Sequence, residues 1–136
     1  MIHLDTNVAI SLLNGGRPRI REQFDRARLA GIPLGLSIVV YHELMYGAAF
    51  SEQRLANENK IALFLATGGL ELIPFEQADA RAAADIRAYL RREAMPIGPY
   101  DVLIAGQARR ADASLVTANR KEFERVPGLI VMDWDD

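Results

Sequence analysis

Met1-Ile2-His3-Leu4-Asp5-Thr6-Asn7-Val8, the opening stretch of the chain, decides the fold class. Its Ile2–Leu4 segment alternates as in a short strand, and an apolar helical segment follows from Val8. A strand that runs directly into a helix places Asp5 at the carboxyl end of the strand, where open parallel sheets bind ligands. Asp5 also suits a simple helix cap that accepts a hydrogen bond from the amide of Asn7 or Val8. Both interpretations stay open on this stretch alone.

The composition is that of an ordinary globular protein without cysteine. The chain has 136 residues, 50% hydrophobic and 25% charged, so we expect one domain, residues 1–136, with a sizeable core. The absence of cysteine excludes disulfides, thiolate nucleophiles and zinc–sulfur sites. The N-terminus lacks the pattern of a signal peptide, and no segment approaches the ~18 apolar residues of a membrane span. We therefore expect a cytoplasmic protein. The net charge of −2 gives no global basic field for nucleic acid.

Strands and helices alternate along the remaining chain. Further strands are predicted at 34–37, 70–73, 113–117 and 129–132. Helices are predicted at 17–30, 38–49, 76–92 and 100–111, with another that Ser51 caps and Gly68-Gly69 ends. Helix 76–92 has apolar residues at four-residue steps, namely Ala78, Ala82, Ile86 and Leu90. This alternation predicts right-handed crossovers and a mainly parallel sheet covered on both faces, a three-layer α/β/α sandwich.

Two further carboxylates lie on helix faces that otherwise carry apolar residues. Glu43 shares its face with Val39, Val40, Tyr46 and Gly47, and Asp101 shares its face with Ile104, Ala105 and Ala108. An ionised carboxylate in such a place is costly unless it is paired or bound to a cation. A buried ion pair for Glu43 and a favourable helix dipole for Asp101 are the alternatives without a ligand.

Asp5, Glu43 and Asp101 are expected where the sheet's carboxyl edge and its adjoining helices converge. Hard divalent cations prefer carboxylate oxygen and water, and neither His3 nor His42 fits a zinc motif. We therefore predict an Mg²⁺ or Mn²⁺ site that contains Asp5 and Asp101.

The stretch from Ser114 to Phe123 adds polar residues at the same edge. The predicted strand ends at Thr117, and Asn119 and Glu122 follow it. Asn119 either turns the chain, as asparagine readily does, or contributes to the site.

Five short stretches in fixed order carry a resemblance to a known family. They are Leu4-Asp5-Thr6-Asn7, Glu43-Leu44 with Gly47, Tyr100–Ala105, Val116–Asn119 with Glu122-Phe123, and Val126–Leu129 through Asp133-Trp134. With these stretches the chain resembles the PIN-domain family and, within it, the VapC-type toxins of bacterial toxin–antitoxin pairs. Walker A, dinucleotide-binding, Gly-x-Ser-x-Gly and His-Glu-x-x-His motifs are all absent.

The resemblance implies an α/β/α fold whose acidic cluster binds Mg²⁺ or Mn²⁺ and hydrolyses RNA phosphodiester bonds. By position, the implied catalytic residues are Asp5, Glu43, Asp101 and Asn119, with Glu122 as a nearby acidic residue. Side chains expected to fix the carboxylate geometry are Thr6, Asn7 and Thr117, and those expected to grip RNA phosphates are Arg17, Arg19, Arg21 and Arg120.

The resemblance also implies an RNA substrate, a cognate antitoxin protein and a homodimer. For the dimer contact the sequence offers two apolar helices, one with Ile20 and Phe24 and one with Ile61 and Phe64. A non-catalytic RNA- or protein-binding module on the same fold is the alternative function. The three retained carboxylates favour catalysis, because a binding module has little reason to place repelling charges together.

Overall fold

A five-stranded parallel sheet forms the centre of the protein in the computed structural model, which describes residues 1–135. The strands are β1 (Ile2–Leu4), β2 (Leu34–Ser37), β3 (Leu70–Ile73), β4 (Ser114–Val116) and β5 (Ile130–Met132). Their order is β3-β2-β1-β4-β5, and all four pairings are parallel. The parallel α/β sheet predicted from the sequence is therefore confirmed.

Seven helices connect the strands. They are α1 (Thr6–Asn14), α2 (Pro18–Leu29), α3 (Ile38–Phe50), α4 (Arg54–Thr67), α5 (Gln77–Arg92), α6 (Pro99–Arg110) and the short α7 (Arg120–Phe123), which the sequence analysis did not predict. Helices α1 to α4 contact one another, and α5 packs on α6. The chain reverses its direction across the sheet after β3, so right-handed crossovers place these two groups on opposite faces. Within residues 1–135, no helix is long and apolar enough to cross a membrane.

The core is one contiguous apolar cluster around the sheet, and it explains why two predicted dimer faces are wrong. Ile20, Phe24, Ile61 and Phe64 are all buried members of this cluster. The Phe24 ring lies 6.0 Å from that of Phe64 and 6.5 Å from that of Trp134. Because these side chains already pack inside their own chain, neither pair can supply a contact with a second copy.

Helix α5 buries only part of the predicted stripe, since Ile86 and Leu90 are buried but Ala82 is half-buried. Ala78 is exposed, and the buried residues are Asp79, Ala83, Ile86 and Leu90. A helix turns every 3.6 residues, so positions four apart drift steadily around it and cannot all face one neighbour. Asp79 tolerates burial because its carboxylate accepts hydrogen bonds from Arg110 Nε at 2.6 Å and the Glu76 amide at 2.8 Å.

Of the two predicted serine caps, one is correct. The Ser37 hydroxyl accepts a hydrogen bond from the Val39 amide at 3.1 Å and caps α3. Ser51 instead ends α3, and α4 begins at Arg54. The Ser51 hydroxyl is still used, because it accepts hydrogen bonds from the Gln53 amide and the Asn57 side chain in the turn between the helices.

A crevice is expected where the strand order changes direction, at the carboxyl ends of β1 and β4. The chain moves from β1 outward to β2 and β3, and then returns to β4 on the other side of β1. Leu4 is in register with Val116. The residues that follow these two strands, Asp5 and Thr117, therefore emerge side by side.

Candidate active site

Asp5 is a buried carboxylate at the end of β1, and both of its oxygens are held by hydrogen bonds. Oδ1 accepts from the Thr6 amide at 2.8 Å, and Oδ2 accepts from the Thr117 hydroxyl at 2.8 Å. The helix-cap interpretation is correct in outline, but the donor is Thr6 rather than Asn7 or Val8. Each carboxylate oxygen has a second lone pair, so capping α1 leaves Asp5 able to accept a further ligand.

Glu43 is connected to Asp5 through Thr6. The Thr6 hydroxyl donates a hydrogen bond of 2.9 Å to Glu43 Oε1. Glu43 is only partly buried, because Tyr46 and Gly47 on its helix face are exposed while Val39 and Val40 are buried. The prediction that this whole face of α3 is buried in the core is therefore wrong. Glu43 lies at the boundary between the buried and the exposed part of that face.

Asp101 lies in the first turn of α6, and its environment raises its pKa to about 6. Burial is the largest cause, followed by the negative charges of Asp5, Glu43 and Glu122. The predicted face of α6 is correct, since Ile104, Ala105 and Ala108 are all buried. Carboxylates far from Asp101 in the sequence therefore act on its charge in the fold.

A chain of hydrogen bonds extends from Asp5 to Glu122. The Thr117 hydroxyl donates to Asp5 and accepts from the Asn119 amide at 2.9 Å. The Asn119 side-chain nitrogen then donates to Glu122 Oε2 at 2.8 Å. Asn119 directly precedes α7, and its side chain makes no capping hydrogen bond to that helix. The side-chain amide instead holds the Glu122 carboxylate, so Asn119 does more than turn the chain.

Negative charge at this site is not neutralised by cationic side chains. Among residues 1–135, none of Asp5, Glu43, Asp101 or Glu122 lies within 4.0 Å of a lysine, arginine or histidine nitrogen. Burial raises the pKa of Asp5, the hydrogen bonds from Thr117 and Thr6 oppose that rise, and the charge of Glu122 adds to it. Both aspartates are therefore held in surroundings that disfavour their charged form.

The donor chemistry of the site fits a hard divalent cation. All the ligand atoms on offer are carboxylate and amide oxygens, and added positive charge would relieve the repulsion that raises the pKa of Asp101. In the described part of the chain, no three acidic or histidine side chains converge closely enough to form a ready metal cluster. Asp5 and Glu43 each accept a hydrogen bond from a threonine hydroxyl, Asp5 from Thr117 and Glu43 from Thr6.

Several predicted site residues lie outside this network. Asn7 is exposed and makes no side-chain hydrogen bond within residues 1–135. Arg17 pairs with Asp135 at 2.7 Å, and Arg21 with Asp25 at 3.5 Å. The remaining two of the predicted arginines, Arg19 and Arg120, are exposed, and Arg120 pairs with Glu124.

Two aromatic residues at the site were not predicted from the sequence. His42 and Tyr100 are exposed, and their ring centroids are 5.7 Å apart at an interplanar angle of 43°. Each directly precedes a candidate catalytic carboxylate, Glu43 or Asp101. Their positions before the two carboxylates can be read from the sequence. Only the packing of α3 beside α6 shows that the two rings are in contact.

A largely apolar groove of about 220 Å³ lies between α1, α3 and α4. Its polar lining residues are Asn14, Glu43, Asn57 and Lys60, and the apolar ones are Ile10, Leu13, Leu44, Gly47, Ala48 and Ile61. The groove and the carboxylate site therefore share a side chain.

Known proteins resemble this chain over nearly its whole length. The PIN domain family model matches residues 2–129. The tRNA(fMet)-specific endonuclease VapC of Salmonella typhimurium is 37% identical over 134 residues, which cover 96% of each chain. Ribonuclease VapC2 of Rickettsia felis is 33% identical, over 97% of this chain and 96% of that protein. A solved structure of VapBC2 from Rickettsia felis, bound to a promoter DNA fragment, matches 99% of this chain and 100% of its own, with 32% identity and a TM-score of 0.91.

Proposed function

Because this chain belongs to the PIN-domain family, we propose that it is an Mg²⁺- or Mn²⁺-dependent endoribonuclease and the toxin of a toxin–antitoxin pair. The observation that carries the proposal is the hydrogen-bond network that links Asp5 to Glu43 through Thr6 and to Glu122 through Thr117 and Asn119. Burial and the charges of these carboxylates also raise the pKa of Asp101. Catalytic roles are assigned to Asp5, Glu43, Asp101 and Asn119.

Asp5 and Asp101 are the proposed ligands of the cation. A bound divalent cation lowers the pKa of a coordinated water and offsets negative charge on the phosphate during hydrolysis. Thr117 and Thr6 fix the Asp5 carboxylate, and Thr6 fixes Glu43 as well. Asn119 orients Glu122 through its side-chain nitrogen, and its side-chain oxygen is the proposed ligand atom.

Cleavage of RNA by purified protein, with and without EDTA, tests this function. We expect cleavage in Mg²⁺ or Mn²⁺, none in EDTA, and a loss of orders of magnitude in the Asp5→Asn and Asp101→Asn variants. Asp112→Asn is the matched control, because Asp112 precedes β4 at the opposite edge of the sheet and asparagine tolerates its positive φ of 53°. Parental cleavage rates in both site variants would refute the assignment.

The name of the Salmonella typhimurium relative suggests the first substrate to test. We propose structured RNA as the substrate class and initiator tRNA as the first candidate. Initiator and elongator tRNA transcripts, incubated separately with the parental protein, should show selective cleavage of the initiator. Equal cleavage of both would leave the nuclease activity standing and remove this substrate.

A cognate antitoxin is proposed to bind the apolar groove and the acidic site together. The groove offers apolar contacts, and Glu43 and its neighbours offer unpaired negative charge to an arginine on the partner. The relative from Rickettsia felis was solved as VapBC2, which supports an assembly of this kind. The partner gene is expected as a small neighbouring reading frame.

Growth assays with the chain alone and with that neighbouring gene test the partner. Expression alone should slow growth, and co-expression should restore it. Gly47→Leu should block rescue by filling the groove, since a Cβ at Gly47 meets no atom within 4 Å and the fold tolerates it. Ala49→Leu, at an exposed position that does not line the groove, is the control. Full rescue of the Gly47→Leu variant would exclude the groove.

A homodimer is also proposed from the family resemblance. Tyr46 and Phe50 on α3 are 63% and 82% exposed, and their rings stack with centroids 6.1 Å apart. This exposed aromatic pair is suited to packing against a second copy. Light scattering should give a dimer mass for the parent and a monomer mass for the Tyr46→Ser, Phe50→Ser double variant. Leu29→Ser, at a residue 90% exposed on α2, is the control.

A non-catalytic binding module is the less favoured function. Such a module gains nothing from placing Asp101 where burial and the charges of Asp5, Glu43 and Glu122 raise its pKa. Since the proposed substrate is RNA, we expect the protein to act in the cytoplasm. We also propose that the chain forms a single domain. RNA binding without metal-dependent cleavage would favour the binding module.

A further inference from the structure

Two exposed aromatic residues directly precede two of the proposed catalytic carboxylates in the sequence. His42 precedes Glu43 on α3, and Tyr100 precedes Asp101 at the start of α6. Tyr100 is 47% exposed, and the rings are 5.7 Å apart. Aromatic rings in contact have centroids about 4.5–7 Å apart, so these two rings already touch and form one continuous outer surface.

The negative charge of the site repels RNA phosphates, and an aromatic surface can bind RNA without relying on charge. RNA is a polyanion, and the site has three proposed catalytic carboxylates and the nearby Glu122, on a chain with a net charge of −2. Two of the arginines predicted to grip phosphate, Arg17 and Arg21, are each paired with an aspartate. A third, Arg120, is paired with Glu124. Stacking of a nucleobase on an aromatic ring does not depend on net charge and stabilises binding of single strands.

We propose that His42 and Tyr100 form a stacking surface for an unpaired nucleobase next to the scissile phosphate. The proposal rests on the nuclease function proposed above and adds how the substrate is held. One base lies on the outer surface of the ring pair, since the rings are too close for a base to insert between them. The proposal places the phosphate of that nucleotide towards Glu43 and Asp101, the residues that follow the two rings in the sequence. The surface therefore selects unpaired nucleotides over duplex RNA, whose bases are stacked on each other.

Binding of a short single-stranded RNA in EDTA tests the stacking surface separately from catalysis. Fluorescence anisotropy gives the Kd for the intact RNA and for a set in which each position in turn lacks its base, with RNA integrity checked on a gel. The parental protein should bind about tenfold more weakly when one particular base is missing. That discrimination should disappear in His42→Ala or Tyr100→Ala. The parental protein should quench the fluorescence of 2-aminopurine placed at the same position, and the two alanine variants should not.

Conservative variants separate stacking from other roles of the two side chains. Tyr100→Phe and His42→Phe keep a ring and should keep both the discrimination and the quenching. Equal Kd values for intact and abasic RNA at every position of the parent would overturn the proposal, as would full discrimination in both alanine variants. Base discrimination without cleavage in Mg²⁺ or Mn²⁺ would instead support the stacking surface and refute the nuclease function.

Discussion

Thr117 Oγ1 donates a 2.8 Å hydrogen bond to Asp5 Oδ2 across 112 positions of sequence. The same hydroxyl accepts from the Asn119 amide, so it connects the end of β1 to the segment after β4. This one buried side chain fixes the orientation of the carboxylate with the greatest burial at the site.

Replacing Thr117 by valine should therefore damage both stability and activity. The change keeps the shape but leaves Asp5 Oδ2 and the Asn119 amide without their partner, at a cost of about 1–3 kcal/mol in the free energy of unfolding. Loss of a donor to the carboxylate raises the pKa of Asp5 further, so the acidic limb of the pH–rate profile moves to higher pH. Urea unfolding and that profile measure the two effects. Thr117→Ser keeps the hydroxyl, and if it fails as badly as valine, the hydrogen bond is not the cause.

Asp101→Asn should stabilise the metal-free protein in a pH-dependent way. Folding raises the pKa of Asp101 from 3.8 to about 6, so the folded state holds more protons than the unfolded state between those values. The ionised carboxylate therefore destabilises the parent fully above pH 6, and this penalty vanishes as the pH falls below about 4. After allowance for its partial exposure, the gain is about 1 kcal/mol at neutral pH. Thermal unfolding in EDTA at several pH values checks it, and a gain that is equal at pH 4 and pH 7.5 would contradict this origin.

His3 should make the fold sensitive to acid. It is buried on the central strand, its Nε2 has no hydrogen-bond partner within residues 1–135, and burial lowers its pKa from 6.5 to about 4. The unfolded chain binds the proton first, so the stability present above pH 6.5 is lost as the pH falls towards 4. The full loss is about 2–3 kcal/mol.

Urea midpoints of the parent and of His3→Leu, at pH 7.5 and pH 5, measure this loss. The leucine variant should lose less stability on acidification, because it carries no group to protonate. Asp101 titrates in the opposite sense over the same window, so the comparison is best made in the Asp101→Asn background. An unchanged difference between the two pH values in that background would exclude His3 as the acid-sensitive group.

A side chain at Gly106 should destabilise the fold for steric reasons, whereas one at Gly47 should not. A Cβ at Gly106 would lie 2.8 Å from the backbone Cα and nitrogen of Ala83, so α5 would have to move away from α6. Gly106→Ala is expected to cost about 1–3 kcal/mol. Gly47→Ala meets nothing within 4 Å on α3 and should stabilise by about 0.5–1 kcal/mol. Chemical denaturation compares them, and similar stabilities would show that the helix contact adapts.

Asn119 and Glu122 should behave as one unit in metal binding. The Asn119 side chain donates to Glu122, so removal of either one disturbs the other. Asn119→Asp should tighten Mn²⁺ binding by adding a charge, while losing that donor in the metal-free state. Asn119→Ala is expected to lower activity more than Glu122→Ala, and the double variant should lose less than the sum. Calorimetric Mn²⁺ titration tests this. Unchanged affinity in Asn119→Asp together with a large loss in Glu122→Ala would transfer the role to Glu122.

Local patterns predicted the elements of the fold well because local energetics determine them. The strands at Ile2–Leu4, Leu34–Ser37 and Leu70–Ile73 and the cap at Ser37 follow from alternation and from a single hydroxyl. The family assignment, made from five ordered stretches, is confirmed by the match over residues 2–129. The predicted burial of Ala78 and of the whole Glu43 face is wrong, because it depends on which neighbouring element each helix contacts.

The sequence by itself determined the alternating α/β elements, the donor chemistry without cysteine, and the positions of Asp5 and Asp101 at element ends. Periodicity, capping and residue type act over a few residues, so they can be read from a single chain. Only the tertiary structure decided that Thr117 holds Asp5, that Asn119 holds Glu122, that Asp79 is buried against Arg110, and that His42 meets Tyr100. Each of these either joins segments far apart in the chain or depends on which side of a helix or turn faces its neighbours. Strand order and helix packing determine which distant segments meet and which side of each helix faces a neighbour, and no local sequence pattern encodes either.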